Sequence, residues 1–352
     1  MLKPNKSRPF AFRRRPPKWL QPGPRPRLRL PVSIIILAII IGLFFLIPPL
    51  SPPQNAPRSL TDRATVFPFP STFTPPPTPA PEHGGRIIFT CTRNGINQLC
   101  IIDADGTGLK RLNDHNAHDY YPTFLPQGDS IAFASNRNGS FDIYLMLLDS
   151  LKIYQLTSGI GNAFSPDFSP DGKMIVFANR PAAGPAALWL MEITGRNPHI
   201  LYSGSGAIVG AAWSPDGNTI AFVMTINQPD NNEIFLLDLE VNQKKPRQLT
   251  HDLAGITGSI DWSPDGKYLI ICSGPVGDKD IFRLEVAAGT IVQLTDGGNN
   301  AAASFSPDGQ WIAFNSLRNN GQADLFIMEA DGTYQRLLTD NPEPDWQPQW
   351  EP

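Results

Sequence analysis

A turn motif built on one proline recurs every 43 to 49 residues, short apolar strands fill the intervals, and no helical periodicity intervenes. These observations predict an all-β fold: a six-bladed β-propeller with a shared first and last blade, preceded by one transmembrane helix and a Pro-rich linker. Composition sets the boundaries. Residues 1–31 read as a basic Pro/Arg-rich cytoplasmic head, 32–50 as a transmembrane signal anchor, 51–83 as a Pro-rich disordered stalk and 84–352 as the propeller. Of the 37 prolines, 20 lie before residue 84, so the remainder is not a low-complexity polymer.

The head carries three lysines, seven arginines and no acid, which divides a chain of net charge −3 into a +10 head and a −13 remainder. An acidic body argues against a nucleic-acid groove, and no nucleic-acid partner is expected. Residues 32–47 are sixteen uncharged residues. At ~1.5 Å per residue they span about 24 Å, a short crossing of a hydrocarbon core of ~30 Å. Cations on the N-terminal side alone predict a single-pass protein of the cytoplasmic membrane, N-terminus in and propeller outside the cytoplasm. A cleaved signal peptide competes with this reading, but the head is long and no small-x-small site follows in PPLSPPQNAP. The 12 prolines between 48 and 83 leave little to bury, so that stretch stays extended and solvated.

Each repeat is marked by its turn: LPQG at 125–128, then SPDG at 169–172, 214–217, 263–266 and 306–309. Pro presets an early turn position and Gly supplies a positive φ, so the motif closes a hairpin. A second strand follows at 131–133, 175–177, 220–222, 269–271 and 312–314, and a third at 143–146, 188–191, 234–237, 281–284 and 325–328. A short edge strand ends most repeats in Leu-Thr, at 155–157, 248–250, 293–295 and 337–339; in one repeat it runs 198–202. Residues 86–112 supply three strands of a further blade, and DWQPQW at 345–350 matches DYYPTF at 119–124, the strand that blade lacks. Pairing the two ends closes a ring of six and removes open sheet edges.

These residues resemble the TolB-like six-bladed β-propeller family, built from WD40-like β-propeller repeats of pattern P-x-[FW]-S-P-D-G-x-x-I-A-F, S-x-R-x-G-x-x-[DE]-I-[YF] and x-x-L-T. The resemblance covers residues 84–352 and is specific for the fold, far less so for function. An anchor and stalk stand where the family's namesake has an N-terminal α/β domain, so a role in the Tol-Pal system is not carried over.

Alternating strands place the SPDG turns on one face and the longer, unlike loops (92–97, 179–187, 225–232, 273–279) on the other, with the leads into each first strand. Variable loops on a rigid scaffold predict the recognition surface there. Its ligand-binding candidates are His115, His118, Asp119, Tyr120, Tyr121, Phe164, Arg180, Asp261 and Trp346. His115, His118 and Asp119 are ligand types for a metal ion, but they lie on a loop without helical spacing, so solvated histidines and no metal or cofactor are expected. Arg93, Arg137, Arg180 and Arg318 recur after the second strand; their recurrence favours structural pairs between neighbouring blades over an anion clamp. Asp103-Ala-Asp105-Gly106 starts like a calcium loop but lacks its closing Glu. Cys91 and Cys100 flank Asn94-Gly95, and a turn centred between Gly95 and Ile96 would set them directly opposite, ready for a disulfide suited to an oxidising compartment. Cys272 packs as a small apolar residue.

No G-x-S-x-G, P-loop or Rossmann fingerprint occurs. The expectation is a non-catalytic binding or scaffold module for a protein, peptide or cell-envelope polymer, held to the membrane by its N-terminal helix. The competing reading is a propeller hydrolase of glycans or lactones with channel-lining acids such as Asp119 or Asp345.

Overall fold

The structure is a computed structural model that describes residues 85–227, 231–241 and 245–352. The head, anchor and stalk expected at 1–83 lie outside the described residues. Among the described residues there are six four-stranded antiparallel sheets, and no helix long and apolar enough to cross a membrane. Their inner strands are Asp119–Phe124, Asn162–Phe168, Ile208–Trp213, Ile260–Trp262, Asn300–Phe305 and Asp345–Trp350, which define blades 1 to 6. Blade 6 takes its inner strand from the end of the chain and its other three from Arg86–Arg93, Ile96–Asp103 and Lys110–Arg111.

The repeat motif folds for local reasons. In each SPDG turn the Ser hydroxyl donates to the Asp carboxylate and accepts the amide N–H five residues on, at 2.9 Å in all four copies. The glycines take positive φ, 68° to 79°, which a side chain would resist. Ser and Asp thereby occupy backbone donors that would otherwise compete with the ladder.

The Leu-Thr signature is a pin rather than a strand. In blade 1 the edge strand is Ile153–Gln155, and Thr157 turns inward to donate to Asp142 and to accept the Ile143 N–H, both at 2.9 Å. Thr295 repeats this with Asp280 and Ile281, and Thr250 with Glu233 and Ile234. A buried hydroxyl that serves the third strand fixes where the fourth must end.

Between blades the core is apolar. Phe177 of blade 2 packs with Ala132, Ala134 and Ile143 of blade 1, while Val176 and Ala178, one residue out of phase, pack with Ile208 and Phe222 of blade 3. Each sheet is thus buried on both faces, which explains the unbroken apolar runs of the second strands. Blades 3 and 4 meet through backbone: a Cβ on Gly210 would lie 1.7 Å from the Gly258 carbonyl oxygen. Ring closure places Trp350 opposite Ile87 and Trp346 opposite Thr90, and Arg86 bonds both carboxylate oxygens of Glu351. Arg86 also reaches the Gly128 carbonyl in the LPQG turn, so the chain enters the ring on the face of the SPDG turns.

Candidate functional site

The inner strands run from the variable-loop face to the SPDG face, so equivalent residues form rings around the axis. Six residues before each landmark proline stand Tyr120, Phe164, Val209, Gly258, Ala301 and Trp346. Blades 6, 1 and 2 therefore carry aromatic rings at the rim of the variable face, and blades 3 to 5 carry small side chains or none. The Tyr120 ring lies 6.1 Å from His118, 5.8 Å from Phe141 and 6.2 Å from Tyr121. Tyr121 continues the row to Phe164 at 6.4 Å. Asn97, from the neighbouring hairpin of blade 6, donates to the Tyr120 hydroxyl at 2.6 Å and fixes that ring. All five rings are half-buried, presenting an apolar row with one side open.

Tyr121 takes a left-handed φ of 54°, as do Ser165 at 50° and Gln347 at 55°, each at a bulge in its inner strand. The bulge turns Tyr121 toward the axis, where it lines the channel. Burial drives its phenol up to about 12. Its backbone N–H donates to Gln347 at 2.9 Å, which stitches blade 1 to blade 6.

Behind the row, Asp119 is fully buried and is a pin. It is bonded by Asn113, faces the His115 ring nitrogen at 3.0 Å, and accepts from Arg137 at 3.2 Å. His115 is therefore held in a network, not solvated as its loop position suggests. Arg137 stacks over Phe133 and Tyr144, and Arg318 over Phe314 and Phe326 while donating to Asn300. Arg93 faces Asp345 at 3.5 Å. These pairs lie within one blade, contrary to the expected pairing between neighbours, because the first residue of the inner strand sits beside the end of the second strand of its own sheet. Asp119 and Asp345 are consequently internal groups, not channel acids. Burial raises the Asp345 carboxyl to about 6.

Arg180 breaks the series. Arg93, Arg137 and Arg318 stand four residues after the Phe of the second strand, whereas Arg180 stands three after Phe177. An odd offset reverses the face of a strand. The equivalent of Asp119 in blade 2 is Ala163, and among the described residues no acid lies within ion-pairing distance of Arg180.

The channel acids are Asp167 and Asp261, placed three residues before their prolines, where the other blades have Thr123, Ala212, Ser304 and Gln349. Asp261, expected on the loop face, lies midway along the channel. Asp167 accepts the Trp213 N–H at 2.7 Å and Asp261 the Phe305 N–H at 2.9 Å, each across to the next blade. These amides sit on the channel-facing edge of an inner strand, with no ladder partner on that side. Burial raises Asp167 to about 6 and Asp261 to about 7, and among the described residues no cation offsets it; the charge of Asp167 adds to the effect at Asp261. The two line cavities of about 60 and 150 Å³ along the axis. Asp167 escaped the sequence reading, although aligning the repeats exposes it as one of two acids in an otherwise uncharged ring.

Cys91 and Cys100 are joined by a disulfide with a Cα separation of 5.8 Å. They are not directly opposite: Asn94 and Gly95, at φ of 54° and 74°, form a two-residue turn that pairs Arg93 with Ile96. That register sets Cys91 against Gln98 and Cys100 against Phe89, and the bond crosses diagonally on one face. Among the described residues no three acidic, histidine or cysteine side chains converge as a metal site.

The profile of the TolB beta propeller domain matches residues 61–188 and 182–352. An uncharacterized protein of Agrobacterium fabrum, Atu1656, is 36% identical over 104 residues, 29% of this chain and 34% of that protein. The Tol-Pal system protein TolB of Ruthia magnifica is 31% identical over 108 residues, 31% of this chain and 24% of that protein. The chain thus spans about a third or less of these relatives. The crystal structure of TolB from Acinetobacter baumannii superposes with a TM-score of 0.67 at 25% identity, covering 76% of this chain and 67% of that one.

Proposed function

The chain belongs to the family of TolB beta propeller domains, and from that premise we propose that it is a non-catalytic binding module of the cell envelope which captures a protein or peptide on its variable-loop face. The observation that carries this reading is the aromatic half-ring of blades 6, 1 and 2. Half-buried rings held by packing and, at Tyr120, by the Asn97 hydrogen bond offer contact area at low entropic cost, which is what protein recognition uses. The channel is a poorer host: its cavities fall below the ~300–1,000 Å³ usual for small-molecule sites.

With the basic head and apolar stretch of residues 1–50, the same reading places the propeller outside the cytoplasm on a single-pass anchor. External protease should cleave the propeller on intact cells that lack an outer barrier, and protection would refute the topology. For the binding face, tagged full-length chain is used to recover partners from an envelope extract, beside a Tyr120→Ala/Phe164→Ala variant of matched melting temperature. A partner recovered by the parent and lost by the variant is expected; equal recovery would move the site elsewhere.

A second reading, a hydrolase of glycans or lactones, draws on Asp167 and Asp261, two carboxyls of raised pKa in one channel. Their bonds to inner-strand amides favour a structural role. Turnover of chromogenic glycosides or lactones that disappears in Asp167→Asn/Asp261→Asn would establish the enzyme instead.

A further inference from the structure

Arg180 ends the second strand of blade 2, half-buried and without an acidic partner among the described residues. The loop after it, 181–186, is made of Pro, Ala and Gly alone and supplies no counter-charge. Antiparallel pairing sets Arg180 against Asn162 and Ala178 against Phe164. Arg180 and Phe164 therefore share one face of the sheet as diagonal neighbours, separated by roughly 7–8 Å. Asn162 is already engaged, accepting the Phe141 N–H at 3.2 Å. Phe164 in turn is the end of the row that passes through Tyr121 to Tyr120. Arg180, half-buried and without an acidic partner among the described residues, thus shares a sheet face with one end of the aromatic row.

We propose that Arg180 and this row form a subsite for an extended peptide, with an acidic side chain on the guanidinium and a neighbouring apolar or aromatic side chain against Phe164 and Tyr121. The proposal rests on the variable face being the recognition surface. A planar fork of donors matches a carboxylate in two parallel, charge-assisted hydrogen bonds. The charge of the chain narrows the anion further. Residues 32–352 carry −13 overall, which repels a polyanion but tolerates a single carboxylate held at a local cation.

The test uses the full-length chain in detergent and three fluorescein-labelled nonapeptides that differ only in a central Glu, Gln or Lys between Phe and Leu, read by anisotropy. The Glu peptide is expected to bind at least tenfold more tightly than the Gln peptide, and Arg180→Gln to bring the two within twofold. Arg180→Glu should reverse the preference toward the Lys peptide and serves if Arg180→Gln does not fold. Equal affinities for Glu and Gln on the parent chain, or a preference that survives Arg180→Gln, would overturn the proposal, as would absence of binding by all three. If Tyr120→Ala/Phe164→Ala abolishes binding that shows no charge preference, the variable face stands and the role of Arg180 falls. If binding is untouched by that double variant, the variable face itself is refuted.

Discussion

The carboxylate of Asp261 accepts the backbone N–H of Phe305 at 2.9 Å, so a side chain of blade 4 occupies an unpaired amide on the inner edge of blade 5. Asp167 does the same for Trp213 of blade 3. The innermost strands of the ring are thus joined by side chains where the ladder cannot continue, and the acids that do this carry raised pKa values.

That joint makes stability pH-dependent. With the folded carboxyls at about 6, about 7 and, for Asp345, about 6, the native chain holds protons that the unfolded chain has already released above pH ~4. Stability therefore falls as pH rises from about 4 to 7. The turn carboxyls Asp171 and Asp265, pushed down to about 2, titrate below this window. The melting temperature should be higher at pH 5 than at pH 8, and Asp167→Asn/Asp261→Asn should flatten the difference. An unchanged slope in the double variant would show that other groups set it.

Ring closure rests on a buried Trp350 in the donated strand. Trp350→Ala should cost about 3–5 kcal/mol, measured by urea unfolding, and removal of residues 345–352 should leave the inner edge of the Arg86–Arg93 strand without a partner and the chain aggregating. A soluble truncated chain with an unchanged midpoint would mean that the ring does not depend on this strand.

Gly210 has no room for a side chain, since its Cβ would collide with the Gly258 carbonyl. Gly210→Ala must part blades 3 and 4 and should lower stability by about 1–3 kcal/mol. Gly139, where a Cβ would meet no atom within 4 Å but φ is +98°, is the control for backbone strain alone.

Alkylation of the denatured chain without reductant should modify one thiol, that of Cys272, and after reduction all three. Three modifications without reductant would show the Cys91–Cys100 bond absent. Cys91→Ser/Cys100→Ser should lower stability by about 2–3 kcal/mol, the range for a cross-link closing a loop this short.

Local chemistry was readable along the chain. Pro, Asp and Gly declare a turn within four residues, alternation declares a strand within six, and recurrence of both made the six blades and their closure predictable. Which side chains meet was not, because it depends on parity and on position around the axis. One residue of offset removed Arg180 from the network that holds Arg137. A two-residue turn in place of the expected centre shifted Cys91 from facing Cys100 to crossing it diagonally. Asp167 and Asp261 belong to repeats that sequence treats as independent, and only closure into a ring brought both carboxyls into one channel, where loss of water decides their charge.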